Sequence, residues 1–241
     1  MLEQKTGCLV CGRDLVYLHE PEELTCTSCG KRVAGSVKCR EGHFICDDCH
    51  RLPAEEFILK ACLSTDIPDP LELALFLMRH PSVRMHGPEH HFLVPAVLLT
   101  SYSLAAGERE RLPDRLQKAR DRAREVKGGS CGFLGDCGAA VGTGIFVSVL
   151  SGATPLSKVE WRLSNLMTSR SLHDIALAGG PRCCKRNTYL AILAAVAFVR
   201  EEWGLDLPVK QDPVCDFSDL NRECLGLECR FYRDRPPHPA G

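Results

Sequence analysis

Beyond residue 52, apolar residues fall into stretches of helical length that glycine and proline separate. Proline in the first turn, together with acidic side chains, is typical of a helix N-terminus, so Pro53 and the pair Asp69-Pro70 each predict a helix start. The residue before a proline disfavours helical geometry, which predicts that the second of these helices ends near His80-Pro81. Further helices are predicted over residues 88–106, 113–127, 136–150, 158–178 and 183–203, with a kink or break at Pro95 and a capping box of Ser157 and Glu160.

The alternating pattern of a half-buried strand does not occur after residue 50. With 241 residues and 44% hydrophobic content, the chain can bury one sizeable core and carry a small additional module. The predicted fold is therefore mainly α, a helical bundle preceded by a small zinc-ribbon-like or RING-like module. The predicted divisions are a cysteine-rich module over 1–51, the helical bundle over 52–206 and a cysteine-containing tail over 207–241.

Seven of the fifteen cysteines lie within the first 49 residues, in pairs whose spacing is typical of metal sites. A C-x2-C turn directs two sulfur atoms to one point, and zinc takes four sulfur or nitrogen ligands in tetrahedral geometry. A disulfide-stapled secreted domain is the alternative, but the opening residues, MLEQKTGC, contain no apolar signal-peptide stretch. We predict a module that holds two zinc ions, with the ligand pairing left open, through Cys8, Cys11, Cys26, Cys29, Cys39, His43, Cys46 and Cys49.

The charge balance argues against nucleic acid as a partner. The net charge is -1, whereas binding to a phosphate backbone needs clustered Lys and Arg. The charged stretch from Arg115 to Lys127 mixes both signs, which is typical of a solvated helix face. The longest apolar runs, 139–150 and 189–199, are shorter than the roughly 20 residues that a membrane-spanning helix requires. We expect a cytoplasmic protein that binds neither membrane nor nucleic acid.

The order of the helices predicts which loops share an end of the bundle, because short connections force neighbouring helices to run antiparallel. By this parity, three loops meet at one end, and each of them leads into a helix. The loops cover residues 86–91, 128–138 and 179–186, and each contains glycine, which lets the backbone approach a bound group closely. We call this end of the bundle, formed by these three loops, the cysteine pole.

The cysteine pole contains a predicted second metal or redox centre, formed by Cys131, Cys137, Cys183 and Cys184. Helix N-termini and nearby cations stabilise thiolates, which both metal binding and thiol exchange require. Because the spacing matches no standard ferredoxin motif, an iron-sulfur cluster, a zinc ion and a redox disulfide between the two adjacent cysteines all remain open. The structural alternative treats the cysteines as small buried hydrophobes and the glycines as helix caps. Candidate supplementary ligands, proton carriers or cations are His86, Glu89, His90, His91, Arg182 and Lys185.

A third group of cysteines, Cys215, Cys224 and Cys229, lies in the polar C-terminal tail. Three sulfur atoms would bind a metal together with a fourth ligand, for which Cys184, a histidine or an external group are the alternatives. The spacing is compatible with a structural metal and with a redox centre alike. These residues are therefore weaker metal-ligand candidates than the N-terminal set.

Other segments carry no recognised chemistry. Cys62 lies between apolar residues and is predicted to belong to the core. The sequence Gly142-Thr143-Gly144 follows no strand, so it is predicted to allow close helix packing rather than nucleotide binding. No Walker lysine motif, G-x-S-x-G elbow or H-E-x-x-H pair is present in the sequence.

Several motifs occur together with the N-terminal cysteines: residues 85–91, 131–138, 152–157, 166–170 and 179–187. In this combination the chain resembles, over nearly its whole length, an uncharacterised prokaryotic family called domain of unknown function 5714. Some members of that family are joined to a methyltransferase domain, so the resemblance implies a methyltransferase as a partner. More weakly, the run from Cys137 to Gly142 is similar to the core of the C-GCAxxG-C-C helical redox proteins, although His90 and His91 stand where that family has a cysteine.

These features predict a metalloprotein in which a structural zinc module accompanies an iron-sulfur or thiol redox centre. The alternative is a non-catalytic adaptor, in which the zinc module docks a methyltransferase or another enzyme and the remaining cysteines are structural. The two hypotheses differ in their metal, because a cluster requires iron whereas the adaptor requires zinc alone. No enzymatic reaction is predicted.

Overall fold

The computed structural model describes residues 7–8, 10–11, 13–27, 29–209 and 213–234. Its first elements are two antiparallel strands, β1 (Leu15–Thr25) and β2 (Arg32–Cys39), whose pairing shifts register between Tyr17 and Glu22. Most side chains of β1 are exposed. A two-stranded hairpin of this kind is marginal in water, so it needs support from elsewhere in the chain.

Most of the chain after the hairpin is helical. Short 3-10 turns cover Arg109–Arg111, Ser218–Leu220 and Gly226–Glu228. Within the described ranges, no helix combines the length and the apolar character needed to cross a membrane. The α-helices are α1 (Asp47–Ser64), α2 (Pro70–Met78), α3 (Glu89–Ala105), α4 (Leu112–Arg124), α5 (Ser130–Phe133), α6 (Gly138–Ser151), α7 (Val159–Leu177) and α8 (Cys184–Trp203).

The central helix of the bundle is α3, which contacts α1, α2, α4, α6 and α8. Its side chains Phe92, Leu93 and Leu98 are almost completely buried. Burying one side chain of this size contributes about 1.5–3 kcal/mol relative to leaving it exposed. Packing on five neighbours also keeps α3 in one piece through Pro95, so the predicted break does not occur. The prediction of a mainly helical bundle after a cysteine-rich module is confirmed.

The first helix begins earlier than the sequence predicted. It starts at Asp47 rather than at Pro53, because Cys46 occupies the N-cap position and Asp47 and Asp48 place negative charge in the first turn. The helix then continues through Pro53. The last cysteine turn of the N-terminal module and the first helix of the bundle are therefore one continuous element.

Two predicted helix caps have different outcomes. Asp69 caps α2 as expected, since its Oδ1 accepts hydrogen bonds from the backbone N–H groups of Leu71 at 2.8 Å and Glu72 at 3.2 Å. The prediction of a capping box at the start of α7 is wrong. Ser157 Oγ instead accepts a hydrogen bond from the backbone of Thr154 at 3.1 Å, and the residue preceding the helix is Lys158, with no side-chain cap.

Glycines on α6 allow neighbouring helices to pack closely, as predicted. A Cβ atom at Gly142 would lie 2.8 Å from Pro95 Cδ and 3.1 Å from the His91 carbonyl oxygen of α3. On the other side, a Cβ at Gly144 would overlap Thr168 of α7 and approach the Ser164 carbonyl oxygen to 3.1 Å. Side chains at these positions would push α6 away from both neighbours.

We predict that Gly144→Ala destabilises the bundle by about 1–3 kcal/mol, because an added methyl group overpacks the contact between α6 and α7. Thermal unfolding followed by circular dichroism should show a melting temperature lowered by about 2–10 °C. Gly132→Ala is the matched control, since nothing lies within 4 Å of the position of its Cβ. Equal melting temperatures for the two variants would contradict the close packing.

Candidate metal centres

Two groups of four ligands converge in the N-terminal module, and within each group all ligand atoms lie within 4.8 Å of one another. The sulfur atoms of Cys11 and Cys39 are 3.5 Å apart, and those of Cys29 and Cys46 are 3.7 Å apart. Tetrahedral zinc with Zn–S bonds of about 2.3 Å places its sulfur ligands about 3.8 Å apart. The first cluster consists of Cys8, Cys11, Cys39 and His43, and the second of Cys26, Cys29, Cys46 and Cys49.

The ligand pairing, which the sequence left open, is interleaved. The first and third ligand pairs along the chain share one cluster, and the second and fourth pairs share the other. The first cluster lies where β1 begins and β2 ends, and the second lies at the turn between the strands and at the start of α1. One cluster therefore closes each end of the hairpin. This arrangement supplies the support that the exposed strands lack.

Backbone N–H groups point at several of these sulfur atoms. Val10 donates to Cys8 Sγ at 3.4 Å, Glu41 donates to Cys39 Sγ at 3.4 Å, and Cys46 donates to Cys26 Sγ at 3.3 Å. Such bonds stabilise a thiolate, the form that binds a metal. The donor set, its convergence and these hydrogen bonds all fit metal ions.

Thiol ionisation in the clusters is a balance between burial and hydrogen bonding. Burial alone raises the pKa of Cys8, but hydrogen bonds from the backbone of Cys11 and Val10 outweigh it and lower the pKa to about 7. In the second cluster, burial raises the pKa of Cys46 to about 12. A bound cation would offset that cost and allow the sulfurs to be deprotonated together.

The module rests on the cysteine pole of the bundle through polar contacts. Asp47 Oδ2 accepts a hydrogen bond from the backbone of Gly128 at 2.8 Å. The guanidinium of Arg182 lies over the ring of Tyr17, 5.1 Å from its centroid, and donates to the Tyr17 hydroxyl. These contacts join β1 and the start of α1 to two of the three loops that form the pole.

A cleft with a volume of about 800 Å³ lies between the module and the cysteine pole. Its walls include residues from all three predicted loops, so the parity argument correctly placed them at one end of the bundle. The lining contains eight Lys and Arg side chains but four Asp and Glu side chains. Some of these cations are paired, as Arg222 is with Asp14 at 2.7 Å. The excess of cations makes the cleft suited to negatively charged groups.

The predicted site residues divide into three sets. Five of them line the cleft. Cys137 is not part of this lining, but its charge acts on Cys131 and Cys184, and its Sγ accepts a hydrogen bond from Asn187 Nδ2 at 3.3 Å. Cys183 lines a separate cavity together with the C-terminal cysteines. Glu89, His90 and Lys185 are buried. The five residues on the cleft wall are His86, His91, Cys131, Arg182 and Cys184.

The three buried residues hold the loop between α2 and α3. Glu89 Oε1 accepts a hydrogen bond from the backbone of Arg84 at 2.7 Å, and its Oε2 lies 3.2 Å from His50 Nδ1. The ammonium of Lys185 donates to the carbonyl oxygens of Met78 at 3.3 Å and Val83 at 3.1 Å. Lys185 is thus turned toward this loop and lies outside the cleft lining, but the charges of Cys184 and Cys183 act on it, so its role as a cation beside the pole thiols stays a prediction.

Burial also decides the ionisation of this buried set. It lowers the pKa of His90 to about 3, with the neighbouring Lys185 charge acting in the same direction. For Glu89, burial acts to raise the pKa, but the hydrogen bond and charge of His50 overcome it and lower the pKa to about 2. His90 is therefore neutral and Glu89 ionised near neutral pH.

The expectation that the helix N-termini make the pole thiols acidic is wrong. Burial raises the pKa of Cys184 to about 12, although Arg182 acts in the opposite direction. Burial likewise raises the pKa of Cys131, and the neighbouring Cys137 raises it further. Desolvation outweighs the dipole and the cation here, because these side chains are covered by the loops that bring them together. All fifteen cysteines are free in this structure, so the disulfide between Cys183 and Cys184, one of the alternatives that the sequence left open, is not formed here.

Several residues that contribute to the site could not be singled out by spacing. His50 and Asp47 flank the last cysteine turn but belong to no ligand motif, and Asn187 lies one turn beyond the adjacent cysteines. Asp47 lies before the predicted start of the first helix at Pro53. An acidic residue in the first turn is a recognised signal of a helix start, but the predicted start came too late in the sequence for Asp47 to be read in this way. The others become recognisable only when the loops are brought together.

Comparison with known proteins gives one match. The model of a family of unknown function, DUF5714, matches residues 58–232. The matched part contains most of the bundle, the cysteine pole and the three C-terminal cysteines, whereas the two N-terminal clusters lie outside it. The chain matches no curated protein and no solved structure. The similarity to the C-GCAxxG-C-C redox proteins stays a prediction.

We predict that His43→Ala lowers the metal content of the purified protein from two N-terminal equivalents to one, because a cluster with three ligands binds zinc much more weakly. Metal analysis should report zinc, and hydrogen exchange should show faster exchange in β1 and β2 while the bundle stays protected. His19→Ala is the matched control, since His19 is exposed on the same hairpin and belongs to neither cluster. Unchanged zinc content and strand protection in His43→Ala would contradict the prediction.

Proposed function

The chain belongs to this family of unknown function, and, because the family carries no assigned activity, we propose from the geometry that it is a zinc-supported redox metalloprotein. Its redox centre is an iron-sulfur cluster at the cysteine pole, held by Cys131, Cys137 and Cys184 with His91 as the fourth ligand. The observation that carries the proposal is the proximity of three thiols from two of the pole loops, Cys131 and Cys137 from one and Cys184 from another, at a cationic cleft. The zinc module forms the opposite wall of that cleft.

The three thiols are close enough to influence one another's charge. The charge of Cys137 acts on both Cys131 and Cys184. Cys137 also accepts the hydrogen bond from Asn187, and the backbone of Gly87 donates to Cys184. Hydrogen bonds to sulfur stabilise the thiolate and are a recurrent means of tuning a metal–thiolate centre. Two loops thus bring the three sulfurs near one another, one carrying Cys131 and Cys137 and the other Cys184.

His91 has the orientation of a metal ligand. Its Nδ1 donates a hydrogen bond to the Val126 carbonyl oxygen at 3.1 Å, which leaves the lone pair on Nε2. A ligating histidine usually fixes its tautomer through such a bond to a carbonyl group. The Nε2 edge of the ring packs against Gly138, the first residue after Cys137. A side chain at position 138 would occupy the space of this ring, so glycine brings Cys137 and His91 together.

The raised pKa values of the pole thiols are more compatible with metal binding than with thiol exchange. Exchange needs a thiolate in the absence of a metal, whereas burial raises the pKa of Cys131 and Cys184. A metal centre removes the thiol protons as it binds, so a raised pKa does not prevent its assembly. When bound, an iron-sulfur cluster would supply one-electron transfer, and Arg182 on the cleft wall would help to balance its negative charge.

An adaptor role is the second candidate, and one observation favours it. Phe133 and Leu134, next to the Cys131 loop, are 48% and 76% exposed, and Trp161 of α7 is 52% exposed. Exposed large apolar side chains are typical of surfaces that bind another protein. An adaptor would need the zinc clusters alone, with the pole thiols as packing residues.

We predict that the protein purified without oxygen contains iron, acid-labile sulfide and a broad visible absorption. Cys131→Ser, Cys137→Ser and Cys184→Ser should each remove most of the iron and absorption while both zinc ions remain, because each takes one ligand from the pole centre alone. Cys62→Ala is the matched control, since Cys62 is fully buried in the core and belongs to none of the clusters. Zinc without iron in the wild-type protein would overturn the redox function and leave the adaptor.

A further inference from the structure

Cys183 and Cys184 are adjacent in sequence but serve different parts of the molecule. Cys184 lines the cleft, whereas Cys183 is 9% exposed and lines a small neighbouring cavity that shares Met85 and Glu223 with the cleft. That cavity is also lined by Cys215, Cys224 and Cys229. Cys183, the residue immediately before α8, thus lies at the same cavity as the three C-terminal cysteines and is a candidate for their fourth ligand.

The C-terminal segment is shaped around these sulfur atoms. It contains 3-10 turns and an isolated bridge between Cys215 and Tyr232 in place of longer regular elements. The backbone N–H of Cys215 donates to the Phe231 carbonyl oxygen at 2.7 Å, and that of Tyr232 donates to the Cys229 carbonyl oxygen at 3.1 Å. These bonds fold residues 215–232 into a compact loop whose three cysteines face the start of α8.

The sulfur atoms receive the same backbone hydrogen bonds as the N-terminal cluster ligands. The N–H of Phe217 donates to Cys215 Sγ at 3.4 Å, and the N–H of Gly226 donates to Cys224 Sγ at 3.4 Å. In both cases the donor lies two residues after the cysteine, as Val10 does after Cys8 and Glu41 after Cys39. The N–H of Arg186 donates to Cys183 Sγ, also at 3.4 Å.

The surroundings make four unliganded thiolates costly and a cation favourable. Met85, Tyr189, Phe217 and Phe231 line the same cavity and give it a partly apolar wall. Only a cationic group would bring these sulfurs together in the deprotonated form.

We propose that Cys183, Cys215, Cys224 and Cys229 form a third metal site, separate from the cleft, which binds a thiophilic metal group and fastens the C-terminal segment to the bundle. The shared chemistry is coordination by four thiolates, which a zinc ion and an iron-sulfur cluster both satisfy. These sulfurs do not form a group within 4.8 Å, as the N-terminal ligands do. An iron-sulfur cluster holds its cysteine sulfurs apart, because its inorganic core lies between them. A zinc ion would instead require the four sulfurs to move closer together when it binds.

The site has a consequence for the cleft. Asn221, between the first two ligands in the segment, has its Oδ1 3.1 Å from Nε2 of His86 on the cleft wall. Leu220, Arg222 and Glu223 line the cleft as well. A metal that fixes residues 215–229 therefore also fixes one side of the cleft and the orientation of His86.

The test compares the two adjacent cysteines in the full-length protein purified without oxygen. We expect Cys183→Ser and Cys215→Ser to lower total metal by one site relative to wild type, whereas Cys184→Ser keeps this site. Loss of zinc would identify an ion, and loss of iron with visible absorption would identify a cluster. If Cys183→Ser and Cys215→Ser retain the wild-type content of both metals, the proposal is wrong. This result is independent of the proposed iron-sulfur centre at the cysteine pole, because the Cys184→Ser variant tests the metal content of that centre separately.

A second measurement on the wild-type protein covers the case in which a variant fails to fold. Thiol alkylation followed by mass spectrometry should show slow modification of Cys224 and Cys229, both partly exposed, in the protein as purified. Treatment with chelator and a mild oxidant, followed by reduction, should increase that rate at least tenfold. Cys62 is the internal control, because core burial protects it irrespective of metal. Equal rates before and after metal removal would overturn the proposal.

Discussion

The architecture depends on one helix that belongs to both halves of the protein. The second metal cluster takes Cys46 and Cys49 from the start of α1, and the same helix buries Ala54 and Ile58 in the bundle core. An α-helix transmits position along its length because its backbone hydrogen bonds leave little freedom between successive turns. A metal held by the second cluster would therefore be fixed relative to the core, and the hairpin that the two clusters close would be fixed with it. The cleft has a defined width because its two walls share this helix.

Polar contacts along α1 reinforce that geometry. Glu55 is almost completely buried and its Oε2 lies 2.9 Å from Arg120 Nε and 2.7 Å from Arg124 Nη2 of α4. A buried pair of this kind adds little net stability over apolar packing, but breaking it leaves an uncompensated charge. It therefore acts mainly to specify the angle and register between α1 and α4. Arg124 also lines the cleft, so the same ion pair positions a residue of the cleft wall.

The sequence allowed accurate prediction of features that depend on local rules. Ligand spacing identified the eight N-terminal ligands, and helix parity brought the three pole loops together, because both follow from geometry within a few residues or from short connections. Such local rules could not predict the direction in which an individual side chain points. Successive residues at a helix start point about 100° apart, so Cys183 and Cys184 face different surroundings although they are neighbours. The ionisation of the pole thiols was also mispredicted, since the cost of burial depends on which distant loops cover them.

The distribution of the cysteines follows from where the chain can bury apolar side chains. The helices of the bundle other than α5 share one continuous core, whereas none of the described residues of the hairpin belongs to it. The C-terminal segment contributes Phe217 and Phe231, which is a small apolar surface for a stretch with almost no regular structure. Segments of this kind can be ordered by metal–thiolate bonds, which replace the missing apolar contacts. Both segments end beside the same cleft, with Tyr17 on one wall and Arg222 on another. Metal-dependent order at the two ends of the chain would thus make the shape of the cleft, and access to the cysteine pole, depend on the metal supply.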